Sequence, residues 1–395
     1  MKLLIAIGTR YFRTPDGDLW TTTSYNKDMW VEHQEVFETL GILARVTEVD
    51  QVPDNSRRAN APNVTFYPLP EWCTWKLPLL LPQLYTVAQK AVDECDAILL
   101  HSPSLEAEVA FLGARRAKKQ WIVECRGDQA MNLGYLKNRN VPLSSVIVRY
   151  HRWQYQRHLD QSWGCIYVSR QLQEVYAPTS PSVQTEVISD LRLPNEFFRQ
   201  PHKLTKHENE RIRLVNVGRL EAQKDLFTLL RAFSLLPDQI ATQCELHLIG
   251  DGPLREQLET AANELGISER VIFHGFVPWG DQLFEVIDSM DLFVLSSVTE
   301  GMPRALLEAM AMGLPSISTA VSGSNELLQD DALVPLGDHD KLAELISNLV
   351  SSPELLDQLA TECWTRVQDF REDRLRPRKL DFLRRFKSHV EQITI

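Results

Sequence analysis

Cysteine is scarce in this 395-residue chain. The six residues Cys73, Cys95, Cys125, Cys165, Cys244 and Cys363 lie far apart, and no two form a CxxC pair. Thiols scattered in this way argue against a zinc site and a disulfide framework, and they fit a reducing compartment. Long apolar runs are also missing. No stretch reaches the roughly eighteen apolar residues that cross a bilayer. The opening "MKLLIAIGTRYFRTPDG" has too short an apolar run for a secretion signal, and no small-residue cleavage site. Positive charge is in deficit, with 42 Lys and Arg against 53 Asp and Glu and a net charge of -11. That disfavours wholesale nucleic-acid binding. These absences lead to the expectation of a cytoplasmic protein, in which the "NVT" sequon at Asn63 is a chance match. The remaining composition, 44% hydrophobic and 24% charged, is that of a globular protein. The chain is too long for one core, so two domains are expected.

"KLLIAIG", "CDAILLHSPS", "QWIVECRGD", "GCIYVS" and "TEVISD" are apolar runs, several with polar C-terminal ends. Helix patterns lie between them, the first predicted to run through "KDMWVEHQEVFETLG". Strands that are apolar throughout and alternate with helices predict a parallel sheet covered on both faces. Residues 194–210, "PNEFFRQPHKLTKHENE", break the rhythm with two prolines and many charges, and read as a linker. The series restarts at "IRLVNVGRL" and continues through "CELHLIGDGP", "RVIFHGFV", "DLFVLSS", "PSISTAV" and "ALVPLGD". The predicted fold class is α/β, with Rossmann-like doubly wound domains over 1–193 and 211–370. Ligands in such folds bind at the C-terminal ends of the strands.

The chemistry-bearing residues gather after those strands. "NVGRLEAQKD" places Gly218, Arg219 and Lys224 between a strand and a helix, where two cations and a helix start suit a diphosphate. Two solvated charges would give the same pattern. In "SSVTEGMPRALLEAMAMG", a helix beginning near Pro303 would aim the amides of Arg304 and Ala305 at an anion. Glu308 falls inside that helix among Leu306, Leu307, Ala309, Met310 and Ala311. Burying its carboxylate costs several kcal/mol without hydrogen bonds. A ribose diol would supply two donors, and Glu300, on the loop before the helix, could hold sugar hydroxyls. "DHD" at 338–340 imitates a metal-binding DxD, but its place before a helix reads better as a cap.

Together, "VGRLEAQKD", "IGDGP", "EGMPRALLE" with its E-x7-E spacing, and "LPSISTAVSGSNELL" resemble family 4 of the retaining glycosyltransferases, which have the GT-B fold of two domains facing a central cleft. The match covers most of 211–370. The resemblance implies that Glu308 binds the nucleotide ribose and that Glu300 contacts the donor sugar. Arg219 and Lys224 would hold the diphosphate beside Gly218, Gly301, Met302, Arg304 and Ala305, and the backbone of Phe276 and Val277 would read the base. It also implies that 371–395 form a helix crossing back to the first domain. The sequence departs from the family at Pro303, where a Gly is usual. It also departs at "SGS", where Gly323 is kept and Glu326 follows, and in the first domain, which has no Gly-Gly-x-Glu loop. Arg126 and Asp128 stand where many relatives carry a His near the sugar. They are the catalytic candidates with Glu300, while Arg10 and His101 are acceptor-side candidates from their places at strand ends.

The implied reaction is front-face transfer of a hexose, glucose foremost, from a UDP-sugar to a saccharide or lipid-linked saccharide in polysaccharide biosynthesis, with no cofactor and no metal. A nucleotide-sugar epimerase and a non-catalytic nucleotide-sugar binding protein are the alternatives. Two basic stretches, 144–159 and 370–387, read either as solvated helix faces or as contacts to the inner face of a membrane.

Overall fold

The computed structural model describes residues 1–23, 25–53, 55–71, 77–126, 144–201, 211–300 and 302–394. They form two compact units, Met1–Asp190 together with Arg376–Ile395, and Leu191–Leu375.

The first unit is built on β1 (Lys2–Arg13), β2 (Leu19–Thr21), β3 (Thr39–Glu48), β4 (Arg57–Arg58), β5 (Val64–Leu69), β6 (Ala97–Ser102), β7 (Trp121–Cys125), β8 (Gly164–Tyr167) and β9 (Gln184–Val187). β1 pairs in parallel with both β3 and β6, and β7, β8 and β9 continue beyond β6. The short β2 and β4 form the antiparallel margin. The helix expected from Lys27 onward ends at Gln34, and β3 starts at Thr39. Tertiary pairing decides this boundary. Leu40, Ile42, Leu43 and Ala44 are fully buried, and β3 lies hydrogen-bonded between β1 and β5. Gly41 has no space for a side chain there, because an added Cβ would sit 2.9 Å from the Tyr67 ring.

The C-terminal helix Glu372–Thr394 supplies this unit with Leu380, Phe382, Leu383, Phe386 and Val390, all buried. Each such side chain contributes about 1.5–3 kcal/mol when removed from water. Phe382 and Phe386 pack at 5.3 and 5.4 Å from the Trp163 ring. The helix's bases meet carboxylates of the same unit: Arg376 with Glu35, Arg378 and Arg385 with Glu186, and Lys387 with Glu38.

The second unit is a six-stranded parallel sheet of β10 (Ile212–Val217), β11 (Cys244–Ile249), β12 (Val271–Gly275), β13 (Leu292–Leu295), β14 (Ser316–Thr319) and β15 (Leu333–Val334), in the order β12-β11-β10-β13-β14-β15. The chain winds outward from β10 one way and then, from β13, the other. The order therefore reverses between β10 and β13, the place where doubly wound folds receive ligands. Residues 195–201 fold onto this unit. Phe197 packs against Phe284 and Trp279, and the Arg199 amide donates to the Ala311 carbonyl.

Gly250, just after β11, has φ +135°, and a Cβ there would lie 1.9 Å from the Gly218 carbonyl oxygen. Gly250→Ala therefore combines backbone strain with a backbone clash. A loss of about 2–3 kcal/mol is expected, seen in thermal unfolding as a Tm fall of about 4–12 °C. An unchanged Tm would refute this account of the turn.

Candidate active site

β10 and β13 are in register only at Leu214–Leu292 and Val215–Phe293, and then diverge. The buried Asn216 bridges the opening, its Nδ2 donating to the Val294 carbonyl at 2.7 Å. Two loops emerge from this fork and are tied together by a buried serine and a backbone hydrogen bond. Ser296 Oγ donates to the Lys224 carbonyl at 2.8 Å, and the Val298 amide donates to the Gln223 carbonyl. From below, Thr319 Oγ1 donates to the Ser297 carbonyl at 2.6 Å.

The tie brings Lys224 and Glu300 together. Lys224 Nζ donates to Glu300 Oε1 at 2.5 Å, and Ser297 Oγ donates to the same oxygen at 2.9 Å. Both charged side chains are largely shielded, at 15% and 16% exposure. A Cβ on Gly218 would come within 3.1 Å of the Lys224 side chain, so glycine leaves the lysine its place. Arg219 behaves differently. Its side chain is 75% exposed and pairs with Glu221 at 2.7 Å, so the two cations of this loop do not share one contact.

The Arg304–Ala311 helix starts after Pro303 with no side-chain cap. Glu308 is buried in it, and its carboxylate is bonded within the protein. Arg304 Nε and Trp279 Nε1 both donate to Oε1 at 2.8 Å. The Arg304 guanidinium also lies 5.2 Å over the Trp279 ring. Trp279 rests edge-on against Phe197 and Phe284. Val277 packs on the core, whereas Phe276 is 75% exposed. Met302 and Ala305 are partly buried beside the same core. Gly301 and Asp128 lie outside the described residues. Asp338 caps the His339–Val350 helix, accepting from the Lys341 amide at 3.0 Å.

In the first unit, His101 and Arg126 stand at the ends of β6 and β7 and share Tyr25. Its ring lies 5.6 Å from the His101 ring and 4.7 Å from the Arg126 guanidinium. Arg10 is held instead by Glu71 at 2.5 Å.

One further cluster of this unit has the geometry of a nucleophile triad. Ser102 Oγ is 2.8 Å from His158 Nδ1, and His158 Nε2 is 2.8 Å from Glu108 Oε2. Ser102 and His158 are each only 1% exposed, however. Gln154 and Arg157 also donate to Glu108. The cluster serves to anchor the Ser144–Asp160 helix to the sheet. Burial alone would raise the Glu108 carboxyl, but His158, Gln154 and Arg157 bring it down to about 2.

Sequence reasoning did not find Trp279, Ser297 or Asn216. Trp279 stands two residues after the base-reading candidate Val277, but no local pattern pairs its indole N–H with Glu308.

The fold is GT-B, a glycosyltransferase architecture. The crystal structure of HepE from Anabaena in complex with UDP has a TM-score of 0.66 at 17% identity, covering 97% of this chain and 99% of that one. The lipopolysaccharide outer core galactosyltransferase WaaB, in its apo form, has a TM-score of 0.65 at 16% identity, covering 98% and 100%. Residues 197–362 match the family model described as glycosyl transferases group 1. The amylovoran biosynthesis glycosyltransferase AmsK of Erwinia amylovora is 32% identical over 213 residues. This chain therefore spans about half the length of that relative, 51%.

Trp279→Phe should keep the ring packing and delete the donor to Glu308. A loss of about 0.5–1.5 kcal/mol is expected, measured by chemical denaturation. No loss would mean that the indole N–H does not support the carboxylate.

Proposed function

We propose that the protein is a retaining hexosyltransferase that moves glucose from UDP-glucose to a saccharide or lipid-linked saccharide during polysaccharide assembly. The observation that carries this reading is the set of Lys224, Glu300, Glu308 and Trp279 around the β10–β13 fork, within a group 1 glycosyl transferase domain. The UDP complex of HepE and the biosynthetic role named for AmsK support the choice of donor base and pathway.

In the proposed reaction, the bond from the sugar's anomeric carbon to the phosphate oxygen breaks. The acceptor oxygen bonds to the same face of that carbon, and the acceptor proton passes to the departing diphosphate. Lys224, with Arg219 swung in from solvent and the amides at the Arg304–Ala311 helix start, would meet the charge developing on the diphosphate. Glu308 would take the ribose hydroxyls, and Glu300 would exchange part of its bond with Lys224 for sugar hydroxyls. Gly301 and Met302 would approach the phosphates by their backbone, and Phe276 and Val277 would flank the base. Arg126, Asp128, His101 and Arg10 would serve the acceptor side.

A lipid-linked acceptor suits the exposed face of the Ser144–Asp160 helix. Arg149, Tyr150, Arg152 and Trp153 are exposed there, with Tyr150 and Trp153 at 53% and 54%. Cations beside interfacial aromatics fit an anionic bilayer. Among the described residues no helix is long and apolar enough to cross a membrane.

Thermal unfolding with UDP, GDP and ADP tests the donor assignment. A nucleotide at a hundred times its Kd adds about 2.7 kcal/mol of stability. A Tm rise with UDP alone, abolished in Glu308→Ala, is expected; equal shifts with all three, or none, would contradict it. For the membrane face, flotation with phosphatidylglycerol vesicles should carry the protein upward, and Arg149→Glu with Arg152→Glu should stop it. Flotation that survives these changes would remove that part of the proposal.

A further inference from the structure

In the first unit the acceptor-side candidates His101 and Arg126 belong to a buried charged cluster whose other members, Glu124 and Lys379, have no part in the steps above. His101 of β6 and Glu124 of β7 are register partners, 7% and 1% exposed. His101 Nε2 lies 3.0 Å from Glu124 Oε2, within reach of Coulomb attraction but misaligned for a hydrogen bond. Both ring nitrogens of His101, Glu124 Oε2 and Arg126 Nη1 are sealed from solvent with no hydrogen-bond partner among the described residues. Buried polar atoms are nearly always bonded, and each orphan costs about 1–3 kcal/mol. Four at one spot call for an explanation that structure alone does not supply.

The other carboxylate oxygen is occupied. Lys379, from the C-terminal helix and 3% exposed, brings Nζ to 3.3 Å from Glu124 Oε1, and Arg126 Nη1 stands 3.9 Å from the same oxygen. Lys379 is also 3.6 Å from Glu32 Oε2. Burial by itself would raise the Glu124 carboxyl, but the Lys379 ammonium, followed by His101 and His33, holds it well below the usual range. Arg126 extends away from the cluster, with Nη2 on Asp190 Oδ2 at 2.6 Å. The cluster thus has a countercharge at its back, an ionised carboxylate in its middle, and a histidine and an arginine at the strand ends where parallel sheets receive ligands.

We propose that Glu124, paired with Lys379 at its back, is a positioning residue that orients His101 and Arg126 toward an acceptor hydroxyl at the strand ends of the first unit. A small turn of the His101 ring then completes its bond to Glu124 and aims the other nitrogen at the acceptor. The proposal rests on the glycosyltransferase reading.

The test uses the full chain, labelled UDP-glucose, and a lipid extract of membranes from the cells that make the protein. Glu124→Gln leaves Lys379 paired with Glu32, so the fold should survive. Transfer kcat should fall about tenfold to a hundredfold, with the KM for UDP-glucose and the UDP-induced Tm rise unchanged. His101→Gln should do the same, and the double variant should lose no more than His101→Gln alone. The imidazole 15N resonances of His101, which need no sugar transfer, should shift in both Glu124→Gln and Lys379→Met. Transfer within about twofold of wild type in Glu124→Gln, losses that multiply in the double variant, or unmoved His101 resonances would each overturn the proposal. If the variants show the His101 shifts but the wild-type chain neither binds UDP nor transfers, the glycosyltransferase reading falls and, with it, the acceptor role; the Glu124–His101 coupling alone would remain.

Discussion

The second unit depends on one topological constraint. A parallel sheet cannot turn its strands back as hairpins, so every connection must cross a face. When the crossing direction reverses, two neighbouring strands send their loops to opposite faces and leave a fork between them. Here the fork lies between β10 and β13, and its geometry is pinned by Asn216, whose amide reaches the Val294 carbonyl where the two backbones have separated. Lys224 and Glu300 meet only because each ends one of those loops. Ser296 ties the two loops directly, while Ser297 and Thr319 hold the Glu300 loop in place. All three are fully buried hydroxyls with bonded partners, in positions where an apolar side chain would fill the space but leave an acceptor oxygen short of a donor.

Much of this was legible in the residues. Apolar strands with polar ends, at the spacing of βα units, placed the sheets, and the isolation of Glu308 among leucines and alanines marked it before any contact was known. What could not be read was pairing at long range. Nothing near Trp279 in sequence says that its indole will rest on a carboxylate in the Arg304–Ala311 helix. Nothing near Glu124 points to a lysine at position 379. β3 was hidden for a related reason: its apolar run follows the Lys27–Gln34 helix so closely that helical and extended readings compete, and only pairing with β1 and β5 decides between them.

The first unit shows why contact geometry alone does not define a site. Ser102, His158 and Glu108 have triad distances, yet the hydroxyl is sealed and the carboxylate is saturated by donors. Such a network is complete, and completeness is what a structural anchor needs. The His101–Glu124–Arg126 group is the opposite case, with a charge neutralised on one side and polar atoms left over on the other. Incomplete satisfaction, held in place by rigid strands, separates the two clusters more sharply than residue type does.

The C-terminal helix has a consequence for how the protein is made. The residues that close the first unit, Lys379 and the apolar side chains from Leu380 to Val390, leave the ribosome after the whole second unit has been translated. Until then Trp163 is without Phe382 and Phe386, and Glu124 is without its cation. The first unit therefore cannot complete its native packing until residues 376–390 are made, and the second unit, although it comes later in the chain, is the first with all its residues translated.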